Sequence, residues 1–300
     1  MRIVYLGTSD YAATVLRRLA ASEHRPALVV TPPDRRRGRG RRSGSPPVAE
    51  AARELEIELL QTEATEEPES LARIRSAEPE LGAVCAFGQL IREPLLGELE
   101  LLNVHPSLLP RWRGAAPIER AIMAGDERTG VSIMRLAEGL DSGPVALREP
   151  LPIGDADYGA LSPRLAELGA ELLVHALDLR ASAALELREQ EEQGVTYAEK
   201  IGAPDRRLDP GRPAVELERV VRALNPHIGA YLELEQGERL GVSSAVAEPG
   251  ELPPGRLDGS DGLRVGCGDG VLRLRELRPP GGRSMDAESY LRGHPLPRLA

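Results

Sequence analysis

The chain has 300 residues, 41% hydrophobic but only 3% aromatic, which suits two ordinary globular domains with aliphatic cores. Its net charge of -9 argues against nucleic acid binding over the whole surface, because phosphate contact rests on Lys/Arg neutralisation. No apolar run reaches about 18 residues and the N-terminus is too short in apolar residues for a signal peptide, so a cytoplasmic protein is expected.

Residues 3–6 read as a buried parallel strand ending at Gly7, with Asp10 expected to cap a helix over 11–21. The Gly7-Thr8-Ser9 turn lacks the second and third glycines of a dinucleotide fingerprint. A second strand over 27–30 leads into 32–47, expected as a long loop without periodicity. This segment carries Arg35, Arg36, Arg37, Arg39, Arg41 and Arg42, a positive field on an otherwise acidic molecule. A solvated charge run is the plainer reading of such a segment. After a parallel strand, however, it falls at the edge where open α/β sheets bind ligands.

A helix over 48–54, a strand over 57–60, a helix after Pro68 and a strand over 81–86 continue the alternation. Repeated βα units imply a parallel sheet covered on both faces. Phe87, Gly88, Gln89, Leu90 and Ile91 follow the last of these strands as an apolar wall with a glycine for close backbone approach. In a strand over 101–104, alternation puts Asn103 and His105 on one face, where the strand gives way to loop. Pro106 and Pro110 hold Ser107, Leu108 and Leu109 extended, and Arg111, Trp112 and Arg113 follow.

Pro117 opens a helix to 124, and strands over 129–136 and 145–150 bracket a turn-rich loop containing Asp141. The longest helical pattern, 158–184, carries an apolar stripe of Leu161, Leu165, Leu168, Leu172 and Leu173. The acidic run from Glu189 to Glu192 marks a linker, and a helix over 214–224 stops at Asn225-Pro226. Beyond it, short alternating runs between Gly/Pro/Asp turns point to a small barrel. The expected fold class is α/β: a Rossmann-like, mostly parallel sheet with helices on both faces, then a smaller OB-like β-barrel domain. The expected division is 1–187, a linker at 188–205, and 206–300.

Asn103, His105 and Asp141 sit on loops and strand ends that can converge. Taken singly, each has a plain structural reading: a turn bond, a satisfied histidine, a turn-former. No serine or cysteine pairs with the histidine as a nucleophile. Asp141 lacks companion acids, and Cys85 and Cys267, without metal-like spacing, read as buried free thiols in a reducing compartment, so no metal is expected. Acyl transfer without a covalent enzyme intermediate remains. Asn103 would donate to the oxygen that turns negative, His105 would stabilise charge or move a proton, and Asp141 would orient the imidazole.

The run from Asn103 to Pro117, Asn-Val-His-Pro-Ser-Leu-Leu-Pro-Arg-Trp-Arg-Gly-Ala-Ala-Pro, followed by Gly-Leu-Asp-Ser-Gly at 139–143, resembles the formyltransferase family that uses 10-formyltetrahydrofolate. It is most similar to the members that act on initiator tRNA. The likeness spans nearly the whole chain, including Gly-Thr-x-x-Tyr-Ala at 7–12, Pro33-Asp34, Ala-Phe-Gly at 86–88, Val-Thr-Tyr-Ala-Glu-Lys at 195–200 and Arg-Ala-Leu-Asn-Pro at 222–226.

The resemblance implies that Asn103, His105 and Asp141 match the family's catalytic residues and that Ser107, Leu108, Leu109 and Pro110 match its folate-contacting segment. It further implies that the six arginines match a loop wedged against the tRNA acceptor stem, with the C-terminal barrel helping to hold the tRNA. Ser9, Pro106 and Ser142 depart from the family's usual Pro, small residue and Thr, and none is at a catalytic position. The reaction so implied moves a formyl group from 10-formyltetrahydrofolate, the co-substrate, to the α-amine of methionine on initiator tRNA; separately from the resemblance, a monomer is expected. The alternatives are a small amine acceptor such as glycinamide ribonucleotide or an amino sugar nucleotide, water as acceptor, and, from another class, a non-catalytic RNA-binding protein.

Overall fold

A computed structural model describes the backbone of residues 1–37 and 42–300 and the side chains of residues 1–35 and 44–300. Contacts group the chain into two units. The first comprises Met1–Gly114, Thr129–Pro152 and Ser162–Tyr197; the second comprises Ala115–Arg128, Ile153–Leu161 and Ala198–Ala300. In chain order the elements begin β1 (Ile3–Gly7), α1 (Asp10–Ala20), β2 (Leu28–Thr31), β3 (Arg35–Arg37), β4 (Arg42–Gly44), α2 (Pro47–Glu54), β5 (Glu58–Gln61), α3 (Pro68–Ser76), β6 (Leu81–Cys85) and α4 (Leu95–Glu98). There follow β7 (Leu101–His105), β8 (Arg113–Gly114), α5 (Pro117–Ala124), β9 (Arg128–Arg135), β10 (Val145–Pro152) and α6 (Tyr158–Ala181). Among the described residues no helix is long and apolar enough to cross a membrane.

The sheet of the first unit runs β10-β9-β7-β6-β1-β2-β5. The pairs β1/β2, β1/β6, β2/β5 and β6/β7 are parallel, and β9 lies antiparallel to β7. The chain thus winds outward from β1 to β5 and then returns to the other side of β1. Such a reversal of strand order opens a crevice at the carboxyl ends of the central strands, the usual ligand position in open α/β sheets.

The central strands β1, β2, β6 and β7 are buried on both faces because helices cover both. Val4, Leu6, Val84 and Leu101 pack with Leu71 and Ile74 of α3 and Leu95 of α4. On the opposite face Tyr5 donates its hydroxyl to the Ala12 carbonyl of α1 at 2.6 Å, and Tyr11 of α1 bonds the Leu165 carbonyl of α6 at 2.9 Å. In α6, Gly169 permits this close approach: a Cβ there would stand 2.7 Å from Val104 Cγ1. Val104 therefore points to the α6 face, and the pleat sends Asn103 and His105 to the other.

Two expectations are corrected. The α1 cap is Ser9, not Asp10: Ser9 is extended and its hydroxyl accepts from the Ala12 N–H at 3.3 Å, while Asp10 lies in the first turn, where its charge meets the positive end of the helix. The stretch 32–47 is not a plain loop, for β3 and β4 pair antiparallel from Arg35↔Gly44 to Arg37↔Arg42. The backbone carries that pairing, with no apolar alternation for periodicity to detect.

The base of this hairpin is clamped. Asp34 Oδ1 accepts from Gln61 Nε2 at 2.8 Å and from Ser45 Oγ at 2.9 Å, and Arg53 donates to the same two partners. The bond from Gln61, then that from Ser45, holds the Asp34 carboxyl below its ordinary range.

The chain continues with β11 (Tyr197–Ala198), α7 (Ala203–Arg206), α8 (Ala214–Leu224), β12 (Ala230–Glu233), β13 (Arg239–Glu248), β14 (Leu257–Asp258), β15 (Arg264–Gly266), β16 (Val271–Arg278), β17 (Met285–Asp286) and α9 (Ala287–Gly293). The second unit holds the expected small β domain: an antiparallel sheet in the order β12-β13-β16-β15-β14, with β17 also on β16. Helix α8 packs against both α5 and β13. Within this unit His227 joins Glu119 at 2.9 Å and stacks on Tyr158 with ring centroids 3.6 Å apart.

Candidate active site

Asn103 and His105 stand on the last turns of the β7 pleat, opposite Met134 and Ser132 of β9. They are nearly enclosed, 8% and 4% exposed. Trp112, at φ 62°, presents its carbonyl to His105 Nε2 at 2.8 Å. A carbonyl only accepts, so Nε2 carries hydrogen and the neutral ring keeps its lone pair on Nδ1. That nitrogen faces Asp141 Oδ2 at 3.7 Å, within reach of charge but beyond a hydrogen bond. The ring is thus oriented by the Trp112 backbone, and Asp141 stands across from its other nitrogen.

Asp141 has φ 45°, a left-handed backbone that costs a residue with a side chain about 1–3 kcal/mol. Its carboxylate Oδ2 accepts from the Gly114 N–H at 2.8 Å. Its carbonyl accepts from Gln190 Nε2 at 2.7 Å, and Gln190 also reaches the Gly143 carbonyl at 2.8 Å. Gln190 escapes a sequence reading that sees only an acidic run. The sole cue would have been an amide among carboxylates.

The segment 107–110 is held from behind. Ser132 Oγ donates to the Ser107 carbonyl at 2.7 Å and accepts from the Leu109 N–H at 3.1 Å, while Ser107 Oγ donates to the Arg111 carbonyl at 2.6 Å. Ser107 and Leu109 are fully buried, Leu109 against Met134 and Val145, which leaves Leu108 and Pro110 to present side-chain surface. At the end of β6, Ala86 is left-handed at φ 43°, Phe87 is buried, and Leu90 is 71% exposed. Thr8 Oγ1 bonds the Phe87 carbonyl, tying the end of β1 to this wall, and Gln89 Nε2 donates to the Thr62 carbonyl at 2.8 Å.

The strand ends thus gather Asn103, His105, Asp141, the 107–110 segment and the 87–91 segment along one edge of the sheet. Of the arginines singled out, Arg35 has an exposed side chain paired with Glu63 at 2.9 Å. Arg36, Arg37 and Arg42 contribute described backbone to the hairpin, and Arg39 and Arg41 lie outside the described residues. Burial pushes the Cys85 thiol up to about 12, so the cysteine nearest the crevice stays neutral.

Residues 1–177 match the formyl transferase family, and residues 200–295 match the formyl transferase C-terminal domain. The chain belongs to the formyl transferase family. It is 44% identical to the methionyl-tRNA formyltransferase of Methylococcus capsulatus, over 99% of this chain and 98% of that one. It is 45% identical to that of Halorhodospira halophila, over 98% and 97% respectively.

Among solved structures it resembles HypX from Aquifex aeolicus in complex with tetrahydrofolic acid, with a TM-score of 0.66, 18% identity, and coverage of 98% of this chain and 48% of that one. It also resembles an N-formyltransferase from Helicobacter canadensis in complex with folinic acid and dTDP-3-aminofucose, with a TM-score of 0.65, 14% identity, and coverage of 91% and 99%. At those identities the likeness establishes the fold. The edge of its sheet holds an amide at Asn103, an imidazole at His105 and the Asp141 carboxylate 3.7 Å from that ring.

Proposed function

We propose that this formyltransferase moves the formyl group of 10-formyltetrahydrofolate to the α-amine of methionine carried by initiator tRNA. The observation that carries the reading is the near-full-length identity with proteins named for that acceptor, over both the catalytic unit and the C-terminal domain. The same reading assigns 1–187 to catalysis, 188–205 to a linker and 206–300 to an OB-like domain that holds tRNA, and places a monomeric enzyme in the cytoplasm.

The proposed chemistry follows from the site. An α-amine titrates near 7.7 to 8.0 in model peptides, roughly, so a usable share is neutral and nucleophilic near pH 7 without a strong base. Its nitrogen attacks the formyl carbon, the carbonyl oxygen takes up negative charge, and the bond from carbon to the folate N10 breaks. Asn103 donates its amide hydrogens to that oxygen. His105, fixed at Nε2, has Nδ1 to receive the proton released by the amine and pass it to the departing nitrogen, with Asp141 opposite to balance the charge. Positioning and oxyanion stabilisation supply most of the rate. The segments 107–110 and 87–91 form the folate walls, and Arg35, Arg36, Arg37, Arg39, Arg41 and Arg42 meet the tRNA.

The test is formyl transfer from 10-formyltetrahydrofolate to charged initiator tRNA, compared with charged elongator tRNA, a glycinamide ribonucleotide and an amino sugar nucleotide. Strong preference for the initiator is expected. Equal or better use of a small amine would replace this reading with that of a small-molecule formyltransferase, and no transfer to any acceptor would favour a non-catalytic RNA-binding role.

A further inference from the structure

We infer that Gln190 is the positioning residue for Asp141, an inference that rests on the proposed part of Asp141 in formyl transfer. Its carboxamide is saturated. Nε2 donates to the Asp141 carbonyl at 2.7 Å and to the Gly143 carbonyl at 2.8 Å. Oε1 accepts from Arg113 Nε at 3.0 Å and Nη2 at 2.7 Å. Both hydrogens and both lone pairs are used, and turning the amide over would set its oxygen against two carbonyls and its NH2 against a guanidinium.

The partners explain what the bond does. Asp141 is held in a left-handed backbone at φ 45°, a conformation that persists only where the surroundings over-determine it. Gln190 fixes its main chain, while the Gly114 N–H, in the residue after Arg113, fixes its carboxylate at 2.8 Å. One side chain therefore ties together the two loops that set the carboxylate opposite His105.

Gln190 is itself anchored. Arg188 and Val145 exchange backbone hydrogen bonds at 2.9 and 2.8 Å, and farther along the same segment Thr196 accepts from the Arg113 N–H at 2.9 Å and from the Trp112 N–H at 2.9 Å. Among Glu189, Glu191 and Glu192, only the amide at 190 can satisfy two carbonyls and a guanidinium at once.

The test is a double-mutant cycle on the full chain, reading kcat and KM for 10-formyltetrahydrofolate and charged initiator tRNA in Gln190→Ala, Asp141→Ala and the double variant. A misplacement of about 1 Å costs on the order of 10²-fold, so kcat in Gln190→Ala is expected to fall about that far, with both KM values little changed. In the Asp141→Ala background the same substitution is expected to cost nothing further. Gln190→Glu, which keeps the Arg113 pair but opposes both carbonyls, is expected to lose as much as Gln190→Ala, and it guards against a folding defect from truncation. A wild-type kcat in either Gln190 variant overturns the inference, as does a loss that multiplies with that of Asp141→Ala. Normal turnover in Asp141→Ala alone overturns the reading of Asp141 beneath it.

Discussion

Nδ1 of His105 stands 3.7 Å from Oδ2 of Asp141, while the opposite ring nitrogen is bound to the Trp112 carbonyl at 2.8 Å. In the proposed chemistry this gives Asp141 an electrostatic role distinct from that of fixing the ring. Asp141→Asn keeps an oxygen for the Gly114 N–H but removes the charge. It is expected to lower kcat by about 10²-fold or more, with little change in either KM. Steady-state kinetics with each substrate varied in turn checks this. A raised folate KM at unchanged kcat would move Asp141 from catalysis to binding.

Ser132 is buried behind the proposed folate wall and serves two backbone groups, the Leu109 N–H and the Ser107 carbonyl. Ser132→Ala leaves both without their partner, at a cost of about 1–3 kcal/mol in stability. Denaturant unfolding measures that loss. The folate KM is expected to rise more than kcat falls, because the side chain acts on the wall and not on the reacting atoms.

The thiols give a pH-dependent prediction. Burial pushes Cys85 up to about 12 and Cys267 up to about 11, against an ordinary value of 9.0. A raised thiol pKa keeps the neutral, unreactive form, so at pH 8 both are expected to resist iodoacetamide in the native protein. Mass spectrometry should find alkylation only after unfolding, with full formyl transfer retained before it. Rapid native alkylation with loss of activity would place a reactive cysteine in the chemistry.

The arginine hairpin is expected to act on the tRNA alone. Replacing all six arginines with serine should raise the tRNA KM and flatten its salt dependence, since each lost phosphate contact removes counterion release. The folate KM should stay within about twofold, because its walls lie elsewhere on the sheet edge. Measuring KM across a salt series decides this, and an unchanged slope would return the run to an ordinary solvated charge cluster.

What the sequence disclosed follows the reach of its signals. The βα alternation exposed the sheet because strands covered on both faces read as short apolar runs, and the i, i+2 spacing of Asn103 and His105 on β7 follows from the pleat. The α1 cap was misplaced by one residue because Ser9 and Asp10 are both good caps, and only the extended backbone of Ser9 decides between them. Gln190 was hidden for a different reason: its partners lie 49 residues away at Asp141 and 77 away at Arg113, and neither spacing leaves a local pattern. The β3/β4 pairing was hidden because the run carries no apolar alternation that would signal a strand.

The most direct measurement is single-turnover formyl transfer by Asn103→Ala at saturating 10-formyltetrahydrofolate and charged initiator tRNA, with folate affinity measured separately. Loss of one oxyanion donor costs about 10²–10³ in rate, so the formyl-transfer step is expected to slow by that factor while folate affinity holds. Near-normal turnover in Asn103→Ala would contradict the assignment of Asn103 to the oxyanion and, with it, the proposed chemistry of the site.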